Sequence, residues 1–118
     1  MDSILDSVKA YLGISEDDEA FDSDIIMAIN AVFVILHQFG IGPDDVYSIT
    51  DSSSTWTEFL EDDPIGGVRE YVNMRVRILF DPPANNQVMA ALKEQIDEFG
   101  WRILADADKK ASEEVDNG

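Results

Sequence analysis

The sequence predicts an all-α protein: a four-helix, bundle-like domain over residues 1–104, with a long acidic loop between the second and third helices and a disordered acidic tail over residues 105–118. Three observations carry this expectation. Apolar residues recur at helical spacing in four segments. Glycine or proline punctuates the junctions between them, and no segment shows the alternation of a half-buried strand.

The first predicted helix is capped by Asp2 or Ser3, places Leu5, Val8 and Leu12 on one face, and stops at Gly13. An acidic turn, Ser15-Glu16-Asp17-Asp18-Glu19, leads to a second cap at Asp22 or Ser23. The second helix runs to about Phe39, where Gly40 and Gly42-Pro43 end it. Eleven of the twelve residues from Ile25 to Leu36 are apolar. Ile25, Ile29, Val32 and Leu36 share one side, Met27 and Val34 lie towards the other, and Asn30 and His37 form the one clear polar stripe. A helix apolar nearly all round needs cover on more than one side, which a neighbouring subunit could supply.

Residues 43–63 read as an acidic loop in which Thr55 caps a single turn carrying Trp56, Phe59 and Leu60. Pro64 and Gly66-Gly67 lead into a third helix over about residues 65–80. Its core stripe is Val68, Val72, Val76 and Leu79, widened by Tyr71, Met74 and Ile78. Asp81-Pro82-Pro83 stops it, because proline lacks the amide donor and constrains the residue before it. Asn85 or Asn86 then caps a fourth helix to about Leu104, with Val88, Leu92, Ile96, Phe99 and Ile103 on one face. Lys93–Asp97 and Glu98–Arg102 stand at i,i+4 spacing on the exposed side. Gly100 costs about 1 kcal/mol there relative to alanine, which favours fraying or a bend.

The 118 residues suffice for one modest core, and 45% hydrophobic content separates the chain from disordered acidic proteins. The acidic, amphipathic opening does not resemble a secretory leader, so synthesis in a cytosol is expected. The Ile25–Leu36 run is too short to span a bilayer, and no membrane association is expected. Net charge is −17, unevenly spread. Residues 1–63 hold 15 acids and one lysine (−14), residues 64–104 five acids and five bases (zero), and the tail five acids and two lysines (−3). Such a surface repels phosphate, which argues against nucleic-acid binding through Lys and Arg. It is either a solvated face or one that holds DNA at a distance.

No catalytic set is visible. Without cysteine there are no thiolate nucleophiles, zinc thiolates or disulfides. His37 is the single histidine and has no serine partner in sequence, so a nucleophilic triad cannot be assembled. A calcium loop starting at Asp17 would require glycine and glutamate where Asp22 and Ala28 stand. Gly66-Gly67 lacks the spacing of a phosphate loop. The expectation is a non-enzyme with no metal and no cofactor, whose function rests on interfaces. The candidate interface residues are Met27 and Val34, Trp56 and Phe59, Arg75 on the apolar side of the third helix, and Trp101 opposite the core face of the fourth.

Several segments resemble one family. The stretch Val8-Lys9-Ala10-Tyr11-Leu12-Gly13-Ile14, then Phe21-Asp22-Ser23-Asp24-Ile25-Ile26, Ile29-Asn30 and Gln38-Phe39-Gly40-Ile41-Gly42-Pro43, is similar to the opening of the head–tail connector proteins of tailed bacteriophages. Tyr71 through Val76-Arg77-Ile78-Leu79-Phe80-Asp81-Pro82-Pro83, followed by Phe99-Gly100-Trp101-Arg102, is similar to their closing helices. Gly100 departs from the pattern, where glutamate is expected. The resemblance spans residues 3–104 in order and leaves the acidic tail uncovered.

It implies a homo-oligomeric ring of about twelve subunits under the portal, extending the DNA channel. The portal protein and a tail-completion or stopper protein would be the partners. The location would be the head–tail interface of the virion, after assembly in the host cytoplasm, with DNA passing through without specific binding. An acidic channel wall would then lower adhesion to the duplex. The channel-facing candidates are Glu16, Asp17, Asp18, Glu19, Asp44, Asp45 and Asp51. The alternatives are an acidic DNA mimic that inhibits a nucleic-acid enzyme, which would not form rings, and a small regulatory binding module.

Overall fold

The computed structural model describes residues 2–61 and 66–116, with side chains described through Lys109. Five helices follow in order: α1 (Ile4–Leu12), α2 (Asp22–Gln38), α3 (Trp56–Leu60), α4 (Val68–Phe80) and α5 (Asn86–Asp116). The described residues form no strand, only one antiparallel bridge between Ser3 and Thr55. The architecture is all-α, as the periodicity predicts, and the single turn expected after Thr55 is α3.

Ser3 caps α1, its Oγ accepting from the Asp6 amide at 3.3 Å. The predicted cap of α2 is not used. Phe21 occupies that position without a side-chain cap, because Asp22 has another task. Its carboxylate lies 2.8 Å from the Nζ of Lys9, a lysine only 1% exposed, and that ammonium also donates to the Glu16 carbonyl at 3.1 Å. One buried cation thus ties the acidic turn to α1. Asp22 holds the Lys9 pKa above its ordinary value, outweighing the opposing effect of burial, with Asp6 and Asp18 assisting.

The core is built around α2. Ile25, Ile29, Val32 and Leu36 are fully buried and face Val68, Val72 and Val76 of α4, with Ile4, Leu5 and Val8 of α1 closing one side. Cover on a second side comes from the chain itself. The segment between α2 and α4 folds over Phe33, which stacks on Phe59 at 4.4 Å and meets Tyr47 and Trp56 edge-on. Trp56 donates from Nε1 to Ser7 Oγ at 2.8 Å, and the Arg69 guanidinium lies 5.5 Å over its ring. The polar stripe of α2 anchors this segment. Asn30 Nδ2 donates to the Ile49 carbonyl at 3.0 Å, Asn30 Oδ1 accepts from the Ile49 amide at 2.8 Å, and His37 Nε2 lies 2.9 Å from the Asp44 carbonyl. At Gly42 (φ 94°) a Cβ would come within 2.6 Å of the Phe59 ring, so only glycine lets the loop pack this closely.

Helix α4 begins at Val68, after Gly67; Pro64 and the start expected at 65 lie outside the described residues. At Gly67 (φ 91°) a Cβ would meet the Phe99 ring at 2.8 Å. Leu79, expected in the core stripe, is 58% exposed, because α4 ends one residue later and projects it beyond its neighbours. Val88 is likewise exposed, lying in the first turn of α5 ahead of the packed contact, while Leu92, Ile96 and Ile103 are buried as expected. Asn85 Oδ1 caps α5, accepting from the Gln87 and Val88 amides. Gly100 is helical and sits against Tyr71, where a Cβ would lie 3.2 Å from the ring, so any side chain there would require the ring to give way slightly. Helix α5 does not stop near Leu104 but continues to Asp116, so the residues expected to be a disordered tail are helical through that position. Residues 117 and 118 lie outside the described residues. Glu98 and Arg102 form the expected ion pair; Lys93–Asp97 is not among the three ion pairs of the described residues.

Candidate functional site: interaction surfaces

Helix α2 turns an apolar stripe outward. Met27, Ala31 and Val34, spaced i, i+4 and i+7, lie on the side of α2 that neither the α4 contact nor the folded-back loop covers. Met27 is 71% exposed and Val34 45%. The stripe widens at the N-terminal end of α2 into a groove of about 800 Å³. Leu12 at the end of α1 and Ile14 just after it form one part of its wall, and Phe21, Met27, Leu79 and Phe80 are among the apolar residues of the remainder. Phe21 and Phe80 meet edge-on at 5.7 Å within it, and Asp24 and Asp81 are among its lining residues.

A second feature lies at the opposite end of the antiparallel α2–α4 pair, where Phe39 meets Tyr71 at 6.2 Å. There Trp101 of α5 is 72% exposed, beside a recess of about 390 Å³ lined by Phe39, Tyr71, Arg75, Asp97 and Leu104. Arg75 donates from Nε to the Tyr71 hydroxyl at 2.8 Å and stacks over that ring at 5.3 Å. Among the described residues it forms no ion pair. Trp, Tyr and Arg are the residue types that dominate protein–protein hot spots.

The acids fall into two groups. Glu16, Glu19 and Asp51 line one recess together with Asp6 and Asp22, above the buried Lys9. Asp17 and Asp18 are exposed on the same turn, and Asp18 Oδ1 accepts from the Ala20 amide. Asp44 and Asp45 are exposed at the start of the loop that follows α2, where the Asp44 carbonyl meets His37. Hydrogen bonds from the Ser53 hydroxyl and amide hold the Asp51 pKa below its ordinary value. Among the described residues no three acids or histidines are placed to share a metal ion. No described helix is long and apolar enough to cross a membrane.

The structure therefore separates the six candidate interface residues. Met27, Val34 and Trp101 are exposed and Arg75 is half-buried at the recess. Trp56 and Phe59 are removed from the set. Both are buried inside the subunit, because Phe33 and Ser7 supply the ring contact and the hydrogen-bond acceptor that sequence spacing alone does not place. Sequence reasoning missed Lys9; its one signal was that it is the sole base among residues 1–63. It also missed the groove, whose walls come from three separated segments.

In comparisons with known proteins, neither the curated proteins nor the solved structures yield a match. The sequence model of one protein family, described as phage connector protein, matches residues 4–110. That span takes in α1 through most of α5, and with it both apolar surfaces and the acidic loop. The chain belongs to the phage connector protein family.

Proposed function

We propose that this protein is a structural subunit of the head–tail junction of a tailed bacteriophage, forming a ring of about twelve copies beneath the portal and extending the DNA channel towards the tail. The observation that carries the reading is the family match over residues 4–110. The fold supports it in two ways. The outward apolar stripe of α2 and the exposed Trp101 give a small subunit lateral surfaces for neighbours. The acids Glu16, Asp17, Asp18, Glu19, Asp44, Asp45 and Asp51 sit on anchored segments and can face a channel as a fixed negative wall. Its work is done by interfaces rather than by a reaction, with the portal on one side, a tail-completion or stopper protein on the other, and the virion as its site of action.

Two measurements test this reading. Native mass spectrometry and negative-stain imaging of the protein, alone and with the portal of its own phage, are expected to give closed rings of about twelve. A protein that neither self-assembles nor binds that portal overturns it and moves weight to the acidic DNA mimic. Changing Asp44, Asp45 and Asp51 to asparagine in assembled rings is expected to slow DNA passage by increasing adhesion. Unchanged adhesion would remove the channel-wall role.

A further inference from the structure

Two apolar features of this subunit lie at opposite ends of the α2–α4 pair. The groove contains the Phe21–Phe80 contact, and the exposed Trp101 lies near the Phe39–Tyr71 contact. The seventeen residues of α2 between them span about 25 Å. One is concave and apolar; the other is a projecting indole. Because they are different surfaces of the same chain, covering one with the other takes a second molecule. A contact of that kind is head-to-tail and propagates into a ring or a filament rather than closing as a two-fold dimer.

We infer that Trp101 of one copy seats in the groove lined by Phe21, Met27, Leu79 and Phe80 of the next copy. The inference rests on the ring reading above and names the contact that would build it. Charge points to a second copy as the occupant. Residues 1–63 carry −14 and residues 64–104 carry zero, so a two-fold contact between acidic halves would set −14 against −14. A head-to-tail contact instead brings α5 of the neutral half of one copy against a groove built mainly from residues 12–31 of the acidic half, with Leu79, Phe80 and Asp81 completing it. At the contact itself, the groove lining includes Asp24 and Asp81. The recess beside Trp101 holds both Asp97 and Arg75; Arg75, whose described partners are the hydroxyl and ring of Tyr71, is the group that can meet the groove's acids. The indole N–H supplies a donor for the same carboxylates. A Trp seated in an apolar surface groove, with an Arg beside it to meet the acids of that groove, has the composition of an interface hot spot.

The test uses the whole chain and two surface variants, Trp101→Ala and Met27→Glu. Both positions are largely exposed, so each variant is expected to melt with the wild type, which circular dichroism checks. Analytical ultracentrifugation and native mass spectrometry then measure self-association. Wild type is expected to assemble, and each variant to weaken assembly about 30-fold or more. Mixing the two variants supplies the decisive result. Trp101→Ala keeps an intact groove and Met27→Glu keeps an intact Trp101. One sound contact therefore remains per pair, and the mixture is expected to give a one-to-one heterodimer that stops there. Wild type that stays monomeric at millimolar concentration overturns the contact. So do variants that assemble as well as wild type, including variants that assemble normally but lose portal binding, which would assign these surfaces to the portal. Each of the latter outcomes leaves the connector reading standing. That reading fails separately if virions complete their head–tail junction without this protein.

Discussion

Replacing Asn30 with alanine tests how the acidic loop is held. Asn30 makes two hydrogen bonds to the backbone of one residue, donating to the Ile49 carbonyl at 3.0 Å and accepting from the Ile49 amide at 2.8 Å. It thereby imitates a strand partner for a segment that has none, and Ile49 beneath it is buried. Alanine removes both bonds and leaves an amide and a carbonyl unpaired. A net hydrogen bond contributes roughly 1 kcal/mol, and an unpaired buried group costs about 1–3 kcal/mol. Because the site is only partly buried, water can reach some of the exposed valence, so the lower end applies and the expected loss is ~2 kcal/mol. At about 2.1 cal/mol/K per residue of unfolding entropy, that is a fall in Tm of roughly 8 °C. Urea or thermal unfolding measures the loss, and hydrogen exchange at the Ile49 amide locates it. Asn30→Asp sets a carboxylate oxygen where Nδ2 donates to the Ile49 carbonyl, so it should lose at least as much as alanine at neutral pH. A loss below ~0.5 kcal/mol with Ile49 still protected from exchange would refute the clamp.

The other predictions concern the buried pair, its pH dependence and the core tryptophan. Asp22→Ala leaves the Lys9 ammonium with the Glu16 carbonyl alone and is expected to cost about 2 kcal/mol, measured by urea unfolding. This is below the cost for a fully buried pair because Asp22 is partly exposed. Lys9→Met is expected to cost less than Asp22→Ala, since it removes the buried charge instead of stranding it. The Lys9 pKa is raised in the folded state, so its stabilisation is complete below its ordinary 10.5 and is lost as pH rises through the folded value. Wild type should therefore lose more Tm than Lys9→Met as the pH is taken above about 10.5. For Asp51 the shift is downward, so its contribution is present above pH 3.8 and fades as the pH falls further. Asp51→Asn should flatten that acid limb slightly in a pH titration of Tm. Trp56→Phe loses the Nε1 bond to Ser7 and part of the ring packing, with an expected loss of about 1–2 kcal/mol by thermal melting.

The helices were legible because their signals are local. Ser3, Gly13, Thr55, Pro82 and Asn85 act within one turn of themselves, and the Ile25–Ile29–Val32–Leu36 stripe is a property of one helix. The cover of α2 was not legible, because it depends on Ile49, Trp56 and Phe59 returning over nineteen or more residues to meet Asn30 and Phe33. Asn30 and His37 could be recognised as a polar stripe, but not as the tethers of a loop. The same non-locality misassigned Trp56 and Phe59 to an interface and hid the Lys9–Asp22 pair behind an expected helix cap. For Met27, Val34 and Trp101 the exposure alone was legible from helical angle, because a position left over after the core stripe is assigned needs no knowledge of the fold. The end of α5 was misjudged because composition after Leu104 measures hydrophobicity, whereas a helix already nucleated propagates through Ala, Lys and Glu at little cost.

The loop that covers Phe33 also restricts how this lineage can change. Surface loops ordinarily absorb insertions and deletions, since their closure entropy grows slowly with length. Here, shifting the register between Gly42 and Phe59 by one residue would move Ile49 off Asn30 and pull Phe59 from Phe33, so a length change would strike the core itself. Two of the charges are under no such restraint: Asp44 and Asp45 are exposed and their side chains make no hydrogen bond among the described residues, whereas the Asp51 carboxylate holds Ser53. The loop thus carries two separable constraints, a length fixed by the interior it covers and surface charges at Asp44 and Asp45 on which that interior does not depend.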